Sequence, residues 1–251
     1  EFRRVLFRSR LTEESLAPPM PAAMHASGHR LWRHLIDRVG RHADVLRIDH
    51  AMAVHRLWWV PDGFSAHQGV YVTYPRDEIL AVIAAAAAAA GVTIVGEDLG
   101  TVPSEVSEAF ERWDVVGMYE EQFHLDDEEL PHIPARTVAG IRTHDMEPIA
   151  ELVATTDTSE YRRRLGAAHR CEIDDSWESV VDQMLERLSW SDAYLVIADL
   201  DDLLGERRPH NLPGRVGPEL WSRRLDQPTS ETLGNPDVQQ RLAKLTRRHD
   251  T

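Results

Sequence analysis

The chain has 251 residues, 42% hydrophobic and 28% charged, enough to bury a sizeable core in one domain or in one and part of another. Its 42 acidic against 28 basic residues give a formal charge of −14, which argues against nucleic acid or an anionic membrane surface as partner and leaves a neutral substrate open. A single cysteine, Cys171, excludes an internal disulfide framework, and no apolar stretch reaches the length of a membrane span, so a cytoplasmic location is expected.

Residues 1–9, EFRRVLFRS, lack the apolar segment and cleavage pattern of a targeting peptide. They resemble translated sequencing-adapter DNA and stand outside the fold argument; the chain is expected to begin within a longer gene. Residues 10–28, with the proline-rich LAPPMPAAM, read as an irregular linker. GHRLWRHLIDRVGRHA then places Leu31, His34, Leu35 and Val39 near helical spacing.

The run VLRIDH, residues 45–50, has the apolar body of a buried strand and a charged end opening onto a loop. A helix of high propensity follows from about Asp77 to Ala90, stopped by Gly91, and then the strand VTIVGED. TVPSEVSEAFERW predicts a further helix with Thr101 as its cap and Pro103 in its first turn. DVVGMYEEQF and TVAGIRTHD predict short strands, and SWESVVDQMLERLSWSDAYLVIADL predicts a helix followed by a strand. Strands near residues 45, 93, 116, 139 and 194 alternate with helices, which means an α/β fold on a parallel sheet, either open and doubly wound or part of a closed eight-stranded barrel.

Three of these strands end in carboxylates: Asp49, the pair Glu97 and Asp98, and Asp145. In parallel α/β folds such ends share one rim, where active sites form. Each acid alone reads more readily as a loop or cap residue, and Asp98 in EDLGT is assigned to that structural role. Taken together they match the chemistry of glycoside cleavage, in which one carboxylate attacks and the other protonates the leaving oxygen. Arg47 lies two residues before Asp49, hence on the same side of the strand, where its charge would keep Asp49 ionised. Trp58, Trp59, Tyr71 and Tyr74 flank an LWWVP loop and read either as sugar-stacking residues or as core anchors. A rival reading takes Asp49, His50, His55, His144 and Asp145 as metal ligands. Against it, the His-x-His pair that opens such sites is absent, and Arg47 would repel a cation.

LRIDH with RLWWVP close behind, VGEDLGTVP, THDMEP and DLLGERRPHNLPG, in that order, resemble the 4-alpha-glucanotransferases called amylomaltases or disproportionating enzymes, glycoside hydrolase family 77. The likeness runs from about residue 30 to about residue 225. It implies that Asp49 is the nucleophile, Glu97 the acid/base and Asp145 the aspartate that binds sugar hydroxyls and stabilises the transition state. It implies substrate contacts for Arg47 and His144; Asn211 in HNLPG matches a family motif near the rim and reads at least as well as an asparagine in a proline and glycine turn, and Trp58 stays a substrate-binding candidate on its aromatic character. It also implies a partial (β/α)8 TIM barrel in which residues 29–251 supply strands four to eight, and maltooligosaccharide or alpha-1,4-glucan as donor and acceptor. No cofactor or metal is implied. Two alternatives stay open: a hydrolase with the same three acids and water as acceptor, and an inactive glycan-binding fragment. The chain departs from the family pattern at Arg142, where much of the family has glycine, and at Leu220 before Trp221, where it has asparagine.

Overall fold

The computed structural model describes residues 2–5, 15–16, 18–213, 215 and 217–246. They fall into two units, 1–118 and 119–251, each with its own apolar core.

In the first unit, β1 (Phe2–Val5) and β2 (Ser15–Leu16) precede α1 (Pro21–Ala26) and α2 (Arg30–Val39). β3 (Val45–Ile48) leads to an antiparallel hairpin of β4 (Arg56–Pro61) and β5 (Val70–Thr73). Then come α3 (Arg76–Ala90), β6 (Thr93–Gly96) and α4 (Ser104–Arg112). β3 and β6 are parallel in the register Val45↔Thr93 to Ile48↔Gly96, and a parallel bridge joins Val95 to Val116. α3 ends where Gly91 turns left-handed at φ 70, a conformation glycine adopts without a Cβ clash. It buries Ile79, Leu80, Ile83, Ala86 and Ala87, and each fully buried isoleucine contributes roughly 1.5–3 kcal/mol of apolar burial.

Four expectations are corrected here. LWWVP is strand, not loop: β4 alternates, sending Trp59 into the core and Trp58 to the other face. The expected linker contains β2 and α1, the latter opened by Pro21 at a position where a missing N–H costs nothing; residues 10–14 and 17 lie outside the described residues. Residues 2–5, set aside from the fold, form β1 and pair with β4 through Phe2↔Pro61 and Arg4↔Trp59, while residues 1 and 6–9 lie outside the described residues. The helix at 30–39 is present, but Ile36 and Trp32 turn to the core and Leu31, Leu35 and Val39 are exposed.

β7 (Gly117–Glu120) carries the chain into the second unit. There follow β8 (Thr137–Gly140), α5 (Ile149–Thr155), α6 (Ser159–His169), α7 (Trp177–Ser189), β9 (Leu195–Ile197), α8 (Leu200–Leu204), α9 (Thr229–Gly234) and α10 (Pro236–Lys244). The sheet order is β7-β8-β9, with β8 and β9 parallel. α7 begins at Ser176, whose hydroxyl accepts from the Ser179 N–H at 3.2 Å, and lays Val181, Met184, Leu185 and Leu188 into the core. The core also holds a fully buried carboxylate, Glu121, which accepts from the hydroxyls of Tyr119 and Tyr161 and from Arg187 Nε, each at 2.9 Å. A buried charge without such partners would be far more costly.

Helices separate the strands of the two parallel pairs, β3 with β6 and β8 with β9, and the fold is α/β. Among the described residues no helix is long and apolar enough to cross a membrane.

Candidate active site

The register of β3 against β6 places the first two acids. With Ile48 opposite Gly96, the residues that leave the two strands next are Asp49 and Glu97, on neighbouring strands about 4.8 Å apart. The backbone locks that exit: the Glu97 N–H donates to Ile48 O at 2.9 Å and the Ala51 N–H to Glu97 O at 3.0 Å. Both acids therefore emerge together.

Arg47 reaches both. Its Nη1 donates to Asp49 Oδ1 at 2.9 Å, its Nη2 lies 3.4 Å from Glu97 Oε2, and its Nε points at Met118 Sδ at 3.3 Å. His50 adopts left-handed backbone at φ 43, uncommon for a residue with a Cβ, and its peptide N–H meets Glu97 Oε2 at 2.5 Å.

The two acids differ in environment. The Asp49 side chain is 71% exposed and that of Glu97 only 18%. Burial raises the Glu97 pKa above the ordinary carboxyl value; the negative charge of Asp49 and a shared hydrogen bond add to the rise, and the His50 N–H and Arg47 oppose it. A carboxyl biased towards its protonated form beside a solvated carboxylate is an acid–nucleophile pair. Asp98, expected to serve as a loop or cap residue, does neither and ties down the neighbouring strand. It accepts the Met118 N–H at 2.8 Å and packs against Gly117, where a Cβ would lie 2.8 Å from its oxygen.

Trp58 is held by its own hairpin: its indole N–H donates to Ala66 O at 3.0 Å and its ring meets Tyr71 edge-on at 4.8 Å. Trp59 and Tyr74 are core residues, joined by a 3.2 Å hydrogen bond.

In the second unit, Asp145 follows the end of β8. Its Oδ1 accepts from Asn211 Nδ2 at 2.6 Å and lies 3.3 Å from His144 Nε2. Trp221 completes this cluster: its ring centroid is 5.3 Å from that of His144 and 6.4 Å from that of His210, and its main-chain N–H donates to the main-chain O of His210 at 2.9 Å. Sequence reading passed over Trp221 as a site residue, although the departure at Leu220 marked the position.

The departure at Arg142 also has a structural account. Its fully buried guanidinium donates through Nε to both oxygens of Asp202, at 3.0 and 2.9 Å, and its Nη2 lies 3.2 Å from Asp199 and 3.7 Å from Asp201. Asp201 is shared with Arg223 and with His210 Nε2 at 3.0 Å. Asp202 also accepts the Ile149 N–H, yet burial outweighs these partners and pushes its pKa up to about 6. This network braces the base of the loop that carries His144 and Asp145. No sequence signal joined Arg142 to aspartates some sixty positions away.

Among the described residues, the group of three that could hold a metal ion is His25, His29 and Glu78; none of Asp49, His50, His55, His144 or Asp145 belongs to it. His55 instead lies 3.8 Å from Glu105, its pKa lowered chiefly by burial.

The sequence profile of the 4-alpha-glucanotransferases, glycoside hydrolase family 77, matches residues 15–229. A 4-alpha-glucanotransferase of Haemophilus influenzae is 28% identical over 258 residues, covering 88% of this chain and 37% of that protein. The crystal structure of amylomaltase from Corynebacterium glutamicum superimposes with a TM-score of 0.82 at 20% identity, over 94% of this chain and 40% of that one. Amylomaltase from Streptococcus agalactiae, solved in complex with acarbose, gives 0.76 at 21% identity, over 90% and 45%. The chain thus spans less than half the length of each of these three proteins.

Proposed function

The chain belongs to the 4-alpha-glucanotransferases of glycoside hydrolase family 77, and from that membership we propose that it carries the catalytic carboxylates of an enzyme that moves 4-alpha-glucan segments between maltooligosaccharides. The observation that carries the reading is the pair Asp49 and Glu97, one solvated and touched by Arg47, the other sheltered with a raised pKa.

The chemistry is a retaining double displacement. Asp49 attacks the anomeric carbon while Glu97 gives its proton to the departing glycosidic oxygen, leaving a glucosyl ester on Asp49 and a free glucan end. Glu97, now ionised, then takes the proton from the 4-hydroxyl of an acceptor glucan as that oxygen attacks the anomeric carbon and releases Asp49. Carboxyl groups roughly 5–5.5 Å apart suit this route, and side-by-side exit from adjacent strands supports the reading. Asp145, oriented by Asn211 and His144, binds sugar hydroxyls and stabilises the positive charge that develops on the ring. Trp221 and Trp58 offer aromatic faces to the glucan. The acarbose complex of the similarly folded Streptococcus agalactiae protein supports a saccharide ligand. The carboxylates complete the reaction, and no cofactor enters it.

For the fold, we read β3, β6, β7, β8 and β9 as strands four to eight of a (β/α)8 barrel. Support comes from the helices that separate β3 from β6, β6 from β7 and β8 from β9, from the parallel pairing of β3 with β6 and of β8 with β9, and from the carboxylates that follow three of these strands. The exposed Val45 on β3 and Leu195 and Ile197 on β9 fit strands that have further strands beside them in such a barrel.

Incubation with maltotriose tests the activity. Longer and shorter maltooligosaccharides appearing together are expected; glucose and maltose alone would make water the acceptor and the chain a hydrolase. Loss of products in Asp49→Asn ties them to this site.

A further inference from the structure

Away from these carboxylates, three side chains from three helical elements of the first unit converge. His25 lies on α1, His29 stands at the N-terminal boundary of α2, and Glu78 is in the first turn of α3. His25 Nδ1 is 2.8 Å and His29 Nε2 3.0 Å from the same oxygen, Oε2 of Glu78, and all three ligand atoms lie within 4.8 Å of one another. We propose that His25, His29 and Glu78 form a binding site for a divalent transition-metal ion of the zinc class.

The donor set argues for that class. Two imidazole nitrogens and one carboxylate oxygen suit zinc, with bonds of about 2.0–2.2 Å and a fourth position for water, whereas calcium and magnesium prefer oxygen alone. In a tetrahedral site, ligand atoms stand about 3.4 Å apart given such bond lengths. The two histidine–carboxylate distances need to open by only about half an ångström to reach that spacing, which a glutamate at the surface end of a helix can do by rotating its side chain.

The backbone holds the two rings in place. The chain leaves α1 through two successive left-handed residues, Gly28 at φ 60 and His29 at φ 52. The His29 N–H donates back to Met24 O at 2.8 Å, and the Ser27 hydroxyl to the same oxygen at 2.9 Å. A histidine in that conformation is uncommon, and such residues persist where surroundings over-determine them. His29 does not cap α2 with its side chain; the ring is turned instead to Glu78. Its side chain is 4% exposed and its Nδ1 has no hydrogen-bond partner, so metal on Nε2, with the proton moved to Nδ1, sacrifices no existing bond at that atom.

The alternative is a hydrogen-bonded staple that never meets a metal. Metal-stripped whole chain is titrated with zinc chloride by calorimetry, and in parallel with cobalt(II), whose visible absorption reports tetrahedral nitrogen and oxygen ligation. The expected result is one equivalent bound with a rise in Tm, weakened at least tenfold in both His25→Ala and Glu78→Gln and unchanged in His67→Ala. His25 is 70% and Glu78 50% exposed, so neither variant disturbs the core, unlike one at His29. Absence of stoichiometric binding, or binding equal in the wild type and both variants, overturns the proposal. Turnover of glucan is not part of the readout, so the result is independent of the activity proposed above.

Discussion

The main-chain N–H of His50 meets Glu97 Oε2 at 2.5 Å, so the residue that follows the candidate nucleophile holds the candidate acid. The left-handed turn at His50 thereby couples the placement of two carboxylates on different strands.

Glu97→Gln should lower turnover of an unactivated glucan by roughly 10²–10⁴, the range for a lost general acid. A glucosyl fluoride, whose leaving group needs no proton, should still react with this variant and load a glucosyl group onto Asp49, detectable by peptide mass. Loading on another residue would remove Asp49 from the role of nucleophile.

The pH profile follows from the raised pKa of Glu97. The first step needs this group protonated, so kcat/KM should fall as pH rises through its shifted value. Arg47→Met removes a charge that opposes the shift and should move this limb to higher pH; Asp49→Asn removes one that adds to it and should lower the Glu97 pKa, read by carbon-13 NMR. A limb that stays fixed in Arg47→Met would assign it to a different group.

Arg142→Met should destabilise the chain by about 3–5 kcal/mol, because it leaves Asp202 buried without its cation. Asp202 also leaves a signature in pH. Between its ordinary 3.8 and about 6 the folded chain binds the proton more tightly than the unfolded one, so this group's contribution to stability is full below that window and is lost as pH rises through it. Urea midpoints measured across this range should fall less steeply in Asp202→Asn than in the wild type. Parallel curves would show that Asp202 does not titrate there.

Asn211→Ala should reduce kcat by roughly tenfold, the lower end for a lost hydrogen bond to a partly exposed charged group, with little change in stability. Asn211→Asp, which sets a second negative charge against Asp145, should cost more. An unaffected kcat in both variants would leave Asn211 as a turn residue only.

The parallel strands were legible because each is a short apolar run closed by a charge, and the observed strands start within two residues of the positions expected from those runs. α3 was legible at both ends, from Asp77 to the halt at Gly91. β4 was not, since Pro61 and the adjacent tryptophans resemble a loop when the partner β5 is out of view. Thr101 was misread as a cap: α4 starts at Ser104 behind Pro103, two residues later. Asp49 and Glu97 could be proposed from their strand ends, but their contact through Arg47 and the His50 N–H depends on a register that periodicity does not encode. The Arg142 network and the role of Trp221 were hidden for the same reason: their partners are distant in sequence and polar.

The exposed apolar residues of β9, Leu195 and Ile197 beside Tyr194, bear on how the chain behaves at high concentration. A strand of this kind is a template on which a second chain can lay its own, the first step of precipitation. The formal charge of −14 works against that meeting by keeping chains apart. Salt shortens the reach of this repulsion, to about 10 Å at 0.1 M and about 3 Å at 1 M. The chain should therefore keep best in dilute buffer and grow turbid as salt is added, the reverse of a protein whose self-association rests on ion pairs.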